Sequence, residues 1–253
     1  MSAPAGRWAV VAGASGGVGA ATSRRLAAAG WHVAVLYRSN HAKAAEVADA
    51  VRAAGVEAEV FQVDLADAER VGAVVADVAG RGLAGVVYAA GPAIPMEYVS
   101  TITPAMVAEQ MTTDAVAGFH LVAAALHPLR AAGGGPIVVV GTPAVTRGTV
   151  RDVLSTMPKA ALEQLVRSVA LEEGRYGIRC NMVGVGHLSD GMFDYLRRSG
   201  YYTDEYLARA HERIPLRRAG TSDEIAETIE FLMSDRAAYI TGQTVNVDGG
   251  YSI

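Results

Sequence analysis

The chain has 253 residues, 51% of them hydrophobic and 19% charged, with a formal net charge of -4. That balance excludes a disordered chain, and the lack of a basic excess argues against nucleic acid as a partner. The single cysteine, Cys180, cannot form an internal disulfide, and the apolar runs stop well short of a membrane span.

The opening MSAPAGRW has no long apolar core of the signal-peptide kind. With the lone cysteine, this sets the expectation of a cytoplasmic protein. No repeat or linker divides the sequence, so one domain over 1–253 is expected.

Trp8–Ala12 is a short apolar run with β-branched Val10 and Val11 at its centre, and glycines follow at Gly13, Gly17 and Gly19 before a helical stretch. A strand, a glycine turn and a helix N-terminus together offer free N–H groups to an anion. An ordinary strand-to-helix turn would read the same way. Further strands are expected at His32–Tyr37, Glu57–Val63, Gly85–Ala89, Pro136–Gly141, Ile178–Val183 and Thr244–Val247. Helices are expected to begin near Gly17, His41, Asp67, Pro104, Met157 and Ser222. This alternation predicts an α/β fold, a doubly wound parallel sheet covered by helices on both faces. The stretch 187–220 breaks the alternation and reads as an irregular substrate lid.

The second strand ends in Tyr37-Arg38-Ser39-Asn40. A dinucleotide site for NAD usually places an acidic residue about 20 residues past the glycine turn. Arg38 stands there instead, and with Ser39 and Asn40 as donors it suits a 2′-phosphate. Asp64 could accept a bond from an adenine amino group, or cap the helix that follows it. No His/Cys/Asp cluster has metal-ligand spacing, so no metal is expected.

Taken together, AGASGGVG (12–19), YRSN (37–40), VDLAD (63–67), YAAG (88–91), IVVVGT (137–142), 157–183 and YITGQTVNVDGG (239–250) resemble the short-chain dehydrogenase/reductase family. The likeness is to its ketoacyl-carrier-protein reductase-like members and covers nearly the whole chain. It implies a seven-stranded Rossmann sheet and a nicotinamide dinucleotide, NADPH rather than NADH. The implied cofactor residues are Gly13, Ser15, Gly17, Val18, Gly19, Arg38, Ser39, Asn40, Asp64, Leu65, Ala90, Gly91, Lys159, Gly186 and Leu188. A homodimer or homotetramer through the helices near 104–130 and 157–175 is also implied.

The family reduces a carbonyl with a hydroxyl that polarises it, a Tyr that gives the proton, a Lys that holds the ribose, and an Asn. Here the first falls on Thr142 and the Lys on Lys159. Ser155 stands where the Tyr belongs, and Asp114 where the Asn belongs. The Pro-Gly after strand six reads Val185-Gly186, and a Thr that meets the nicotinamide amide falls on Asp190. Serine is a poor general acid near neutral pH. A carboxylate at Asp114 facing Lys159 would neutralise the field that acidifies a phenol but leave the lysine able to hold a ribose. Proline disfavours helix interiors by roughly 3 kcal/mol or more. Pro158 therefore predicts a helix that starts late, near Thr156–Pro158, capped by Ser155 or Thr156.

The expected activity is reduction of a small-molecule carbonyl substrate, polyketide-like or an acyl thioester, with a non-standard proton source. His187 is one candidate donor; Tyr98, Tyr195, Tyr201 and Tyr202 are others, and Arg151 and Asp152, which flank Ser155, could reach the substrate. Water or the substrate's own hydroxyl could also serve. Two alternatives stay open. One is a degenerate subunit supporting an active homologue in a hetero-oligomer. The other is a non-redox enzyme using Asp114, Asp190 or His187.

Overall fold

The computed structural model describes residues 6–253. Strands β1 (Trp8–Ala12), β2 (His32–Tyr37), β3 (Ala58–Gln62), β4 (Leu83–Tyr88), β5 (Gly135–Gly141), β6 (Ile178–Val185) and β7 (Thr244–Val247) form one seven-stranded sheet in the order β3-β2-β1-β4-β5-β6-β7. All neighbouring pairs are parallel; Val10 of β1 lies opposite Ala34 on one side and Val86 on the other. Helices α1 (Gly17–Ala28), α2 (His41–Ala53), α3 (Ala68–Gly80), α4 (Pro104–Gln110), α5 (Ala117–Ala131), α6 (Val153–Glu173), α7 (Met192–Arg198), α8 (Asp204–Arg213) and α9 (Ser222–Met233) alternate with the strands.

Alternate strand residues point to opposite faces of a sheet, and both faces here are buried. Val10, Ala34, Val86 and Ile137 pack with Val71, Leu121 and Leu162 of α3, α5 and α6. Ala9, Val33, Val87 and Val138 pack with Leu26, Val47 and Ile229 of α1, α2 and α9. Two-sided burial is why the strands read as unbroken apolar runs. Trp8 and Trp31 close the amino-terminal rim, Trp8 stacked on His32 and Trp31 beneath the Arg7 guanidinium. At the other rim the order reverses between β1 and β4, and a crevice for a ligand opens there.

Two expectations need correction. Helix α6 does not start late: it begins at Val153, and Pro158 lies inside it. The amides of Ser155 and Thr156 both donate to the carbonyl oxygen of Asp152, at 3.0 and 2.9 Å, so the first turn is set before the proline arrives. Pro158 gives up only the bond to Leu154, and the burial of the Leu154 and Pro158 side chains offsets that loss. Ser155 accordingly caps nothing. The stretch 187–220 is not irregular either. It holds α7 and α8, and its two ends are tied together where Gly220 donates to His187 and Ser189 donates to Gly220. Arg, Tyr and His content masked two short helices whose apolar faces are narrow.

Candidate active site

Two cavities sit at the carboxyl ends of the strands. The first, of about 240 Å³, lies over β1, β2 and β4. Gly13, Ser15 and Gly16 form its floor, Arg38 and Ser39 one wall, Asp64 and Leu65 another, and Ala90 and Gly91 a third. Gly13 has φ +75° and sits so close to Ala90 that a Cβ would come within 2.6 Å of the Ala90 Cα. Only glycine permits that turn. Helix α1 begins beside it with no side-chain cap and no acid in its first turn, so its amides remain available to an anion.

Several expected cofactor residues do other work. Asn40 accepts the amide of Lys43 at 3.1 Å and caps α2, which takes it out of the cavity wall. Asp64 caps no helix. That role belongs to Asp67, which accepts from Arg70 at 2.9 Å, while Asp64 turns back to the amide of Ala66 and faces the cavity. Gly17, Val18 and Gly19 shape the turn from behind. Gly19 packs on the Gly13 carbonyl, Gly17 lies against Gly191, and Val18 faces the core.

The second cavity, of about 250 Å³, opens beyond β5 and β6 and brings together Thr142, Asp152, Ser155, Lys159, Gly186 and His187, with Leu188 at its edge. Thr142 ends β5 and precedes a short turn. Its hydroxyl oxygen accepts from the Ala144 amide at 3.2 Å, which leaves the hydroxyl hydrogen to donate into the cleft. Ser155, 8% exposed, lies one turn before Lys159 on the same face of α6.

Asp114 lies under the cleft. Residues Met111–Val116 join α4 to α5 as a π-helical turn, a geometry that sets one side chain out of helical phase. That turn puts the Asp114 carboxylate 2.9 Å from Lys159 Nζ, with both side chains buried. Tyr88, at the end of β4, holds its hydroxyl 3.0 Å from the same carboxylate oxygen and 2.8 Å from the Asp114 carbonyl. Its ring also carries Lys159 Nζ 5.4 Å from its centre. Burial, with the Asp114 charge adding to it, pushes the Tyr88 phenol well above its ordinary range, so it stays a donor. The sequence reading did not assign Tyr88; a lone tyrosine closing an apolar strand was the available signal.

Asp152 stands at the N-cap of α6, yet its side chain accepts no bond from the helix. It lines the cleft, and burial raises its carboxyl to about 6. His187 is stacked on Tyr202 at 5.6 Å and flanked by Tyr206 and Tyr251. Burial, with the charge of His211 second, holds it below the usual histidine range and therefore neutral. A neutral imidazole has no imidazolium proton to give. Burial likewise raises Tyr202 and Tyr206. Asp190 accepts both the amide and the hydroxyl of Ser222, the latter at 2.6 Å, which binds the base of the cap to α9.

The comparisons with known proteins agree with this fold. Residues 13–252 match the family described as Enoyl-(Acyl carrier protein) reductase. The 3-oxoacyl-(acyl-carrier-protein) reductase FabG of Staphylococcus aureus is 30% identical over 243 residues, 96% of each chain. Versicolorin reductase 1 of Aspergillus parasiticus is 27% identical over 252 residues, 97% of this chain and 96% of that one. Among solved structures, a putative short-chain alcohol dehydrogenase from Sinorhizobium meliloti superposes with a TM-score of 0.90 at 31% identity, covering 98% of this chain and 97% of its own. The chain belongs to the short-chain dehydrogenase/reductase family, whose members are oxidoreductases that use NAD(P)H. Among the described residues no helix is long and apolar enough to cross a membrane, and no group of side chains could hold a metal ion.

Proposed function

We propose that the protein is a cytoplasmic, NADPH-dependent carbonyl reductase in which Asp152 is the proton donor. The observation that carries this reading is the Asp152 carboxyl, turned away from its own helix into the cleft that also holds Thr142, Ser155 and Lys159. The first cavity fits a dinucleotide. Its uncapped helix terminus suits a pyrophosphate, and Arg38 and Ser39 suit a 2′-phosphate.

When bound, the dinucleotide would supply the hydride. The Thr142 hydroxyl donates to the carbonyl oxygen and polarises it. Lys159, fixed by Asp114, offers its remaining N–H groups to ribose hydroxyls. As negative charge grows on the carbonyl oxygen, Asp152 transfers its proton there and becomes a carboxylate, which regains a proton from solvent. A general acid works best with a pKa near the operating pH, a condition a serine hydroxyl does not meet. The substrate class proposed is a polyketide-like ketone or an acyl thioester, in keeping with the names of the two reductases above. The non-redox alternative is less favoured, because Asp114 is paired with Lys159 and Asp190 with Ser222, which leaves the neutral His187 as its base.

The test is calorimetric binding of NADPH and NADH, followed by nucleotide oxidation with aryl ketones and β-keto thioesters. NADPH should bind more tightly, and turnover should weaken as pH rises through about 6, the Asp152 carboxyl range. Indifference to both nucleotides at millimolar concentration overturns the reading. The neutralised Lys159 favours one second reading, a cofactor-binding subunit that supports an active homologue. Binding without turnover, with such a homologue co-purifying, would select it. The exposed Val116 and Phe119 beside Leu165 of α6 form an apolar hollow, which supports self-assembly through α5 and α6 as a homodimer or homotetramer.

A further inference from the structure

The catalytic cleft continues outward into a second chamber of about 650 Å³, sharing Met96, Thr149, His187, Tyr206 and Tyr251 with it. Arg151 lines that outer chamber and not the cleft, whereas its neighbour Asp152 lines the cleft and not the chamber. The backbone explains the split. Arg151 has φ +68°, a left-handed conformation that a non-glycine residue rarely adopts. Strain of this kind persists where the surroundings impose it, and it gathers at ligand sites.

The guanidinium lies over two aromatic rings. Its central carbon lies 5.2 Å from the ring centre of Tyr98, in the loop after β4, and 5.4 Å from that of Tyr201, in the cap. Stacking of this kind covers the faces of the guanidinium and leaves its edge to make hydrogen bonds. The Arg151 Nε is buried and bonds to nothing in the protein, and among the described residues no carboxylate pairs with this side chain. Two more arginines and one carboxylate line the chamber: Arg209, tied to Glu205 at 2.6 Å, with Arg213 and Glu212, neither of which lies against the Tyr98 and Tyr201 rings as Arg151 does. A buried cationic donor without a partner is costly to leave unmade. Its missing partner is an anion.

We infer that Arg151 recognises a terminal carboxylate on the substrate, at the far end of the chamber from Thr142. The rings restrict bonding to the plane of the guanidinium, and a planar carboxylate meets that edge with two parallel hydrogen bonds. The ligand so defined is elongated. Its carbonyl lies by Thr142, its apolar body passes His187 and Tyr206, and its carboxylate reaches Arg151. The inference rests on reduction of a carbonyl in the cleft, but its test does not need turnover.

The probes are 6-acetyl-2-naphthoic acid, the longer 4′-acetylbiphenyl-4-carboxylic acid, their methyl esters, and 2-naphthyl phosphate. Binding to the NADPH-loaded protein is measured by calorimetry. At least one acid should bind roughly tenfold or more tightly than its ester, a factor one charge-assisted bond pair supplies. Arg151→Gly keeps the left-handed backbone without strain and should bring the acid to the level of the ester. Arg151→Lys should recover only part, for want of the second parallel bond. Equal binding of acid and ester, a preference that survives in Arg151→Gly, or no binding of either acid at millimolar concentration overturns the inference. Tighter binding of the phosphate than of both acids overturns the carboxylate assignment. Arg151-dependent binding without any nucleotide oxidation would instead remove the reductase reading and leave this site standing.

Discussion

The cradle over β1, β2 and β4 and the cleft beyond β5 and β6 share one rim of the sheet but are built differently. The cradle is made of backbone: glycine turns, an uncapped helix terminus and a solvated Arg38. The cleft is made of buried titratable side chains, each held by a specific partner or by its lack of one. The backbone part of the cradle tolerates sequence change so long as the turn survives; Arg38 is its one sensitive side chain in the function proposed. A cleft of this kind responds to a single atom. In the function proposed above, the nucleotide half follows the pattern that the family resemblance implies, while the reacting half works through Asp114, Asp152 and Lys159.

The contrast can be broken most sharply at Asp152. Asp152→Asn should lower kcat by about 10²–10⁴-fold, the usual worth of a general acid, with nucleotide affinity unchanged in calorimetry. In the wild type, the reductive rate should fall as pH rises through about 6, because the carboxyl then loses the proton it must give. The same burial sets the sign of a stability effect. A carboxyl raised in the fold is penalised once it ionises, so the cost is absent below the unfolded value of 3.8 and complete above about 6. Asp152→Asn should therefore stabilise the protein at alkaline pH and leave it unchanged in acid, as read by urea titration.

Next in size is Asp114→Ala. It leaves Lys159 buried without its counter-charge and Tyr88 without a carboxylate acceptor. The expected loss is about 3–5 kcal/mol, typical of breaking a buried pair from one side. Asp114→Asn should cost less, and a denaturation midpoint separates the two. In the cradle, Arg38→Ala should weaken NADPH by about 10- to 100-fold, the worth of charge-assisted bonds, and leave NADH unchanged. Equal losses for both nucleotides would mean that Arg38 reads no 2′-phosphate. Smallest is Ser155→Tyr in the Asp152→Asn background. The phenol reappears, but a lysine already neutralised by Asp114 does little to acidify it, so less than about tenfold of the lost rate should return. A full recovery would show that the pair leaves Lys159 free to act.

The strands and the cradle were legible because a two-sided sheet and a glycine turn leave their marks in local sequence. Trp8–Ala12, His32–Tyr37 and Thr244–Val247 match their strands end to end. The start of α6 was not legible. Pro158 gives a strong local signal, but the buried turn around Leu154 outweighs it. The facing of Asp114 and Lys159 followed from the family resemblance. The part played by Tyr88 and the packing of Tyr206 and Tyr251 around His187 did not, because such contacts join residues far apart in sequence. Asp152 was named only as one of two residues that could reach the substrate, since nothing local says which way an N-cap carboxyl turns.

The placement of the aromatic residues also gives the molecule two separate optical reporters. Both tryptophans, Trp8 and Trp31, are buried at the amino-terminal rim. The stacked Tyr202 and Tyr206 lie at the opposite rim, in the cap. Tryptophan emission therefore follows the integrity of the sheet, and the share of the near-ultraviolet tyrosine ellipticity that the cap pair adds to that of the buried Tyr37 and Tyr88 follows the cap. On heating, a tyrosine signal lost ahead of the tryptophan signal would mark the cap as a unit that melts on its own. Coincident transitions would show that cap and sheet unfold as one.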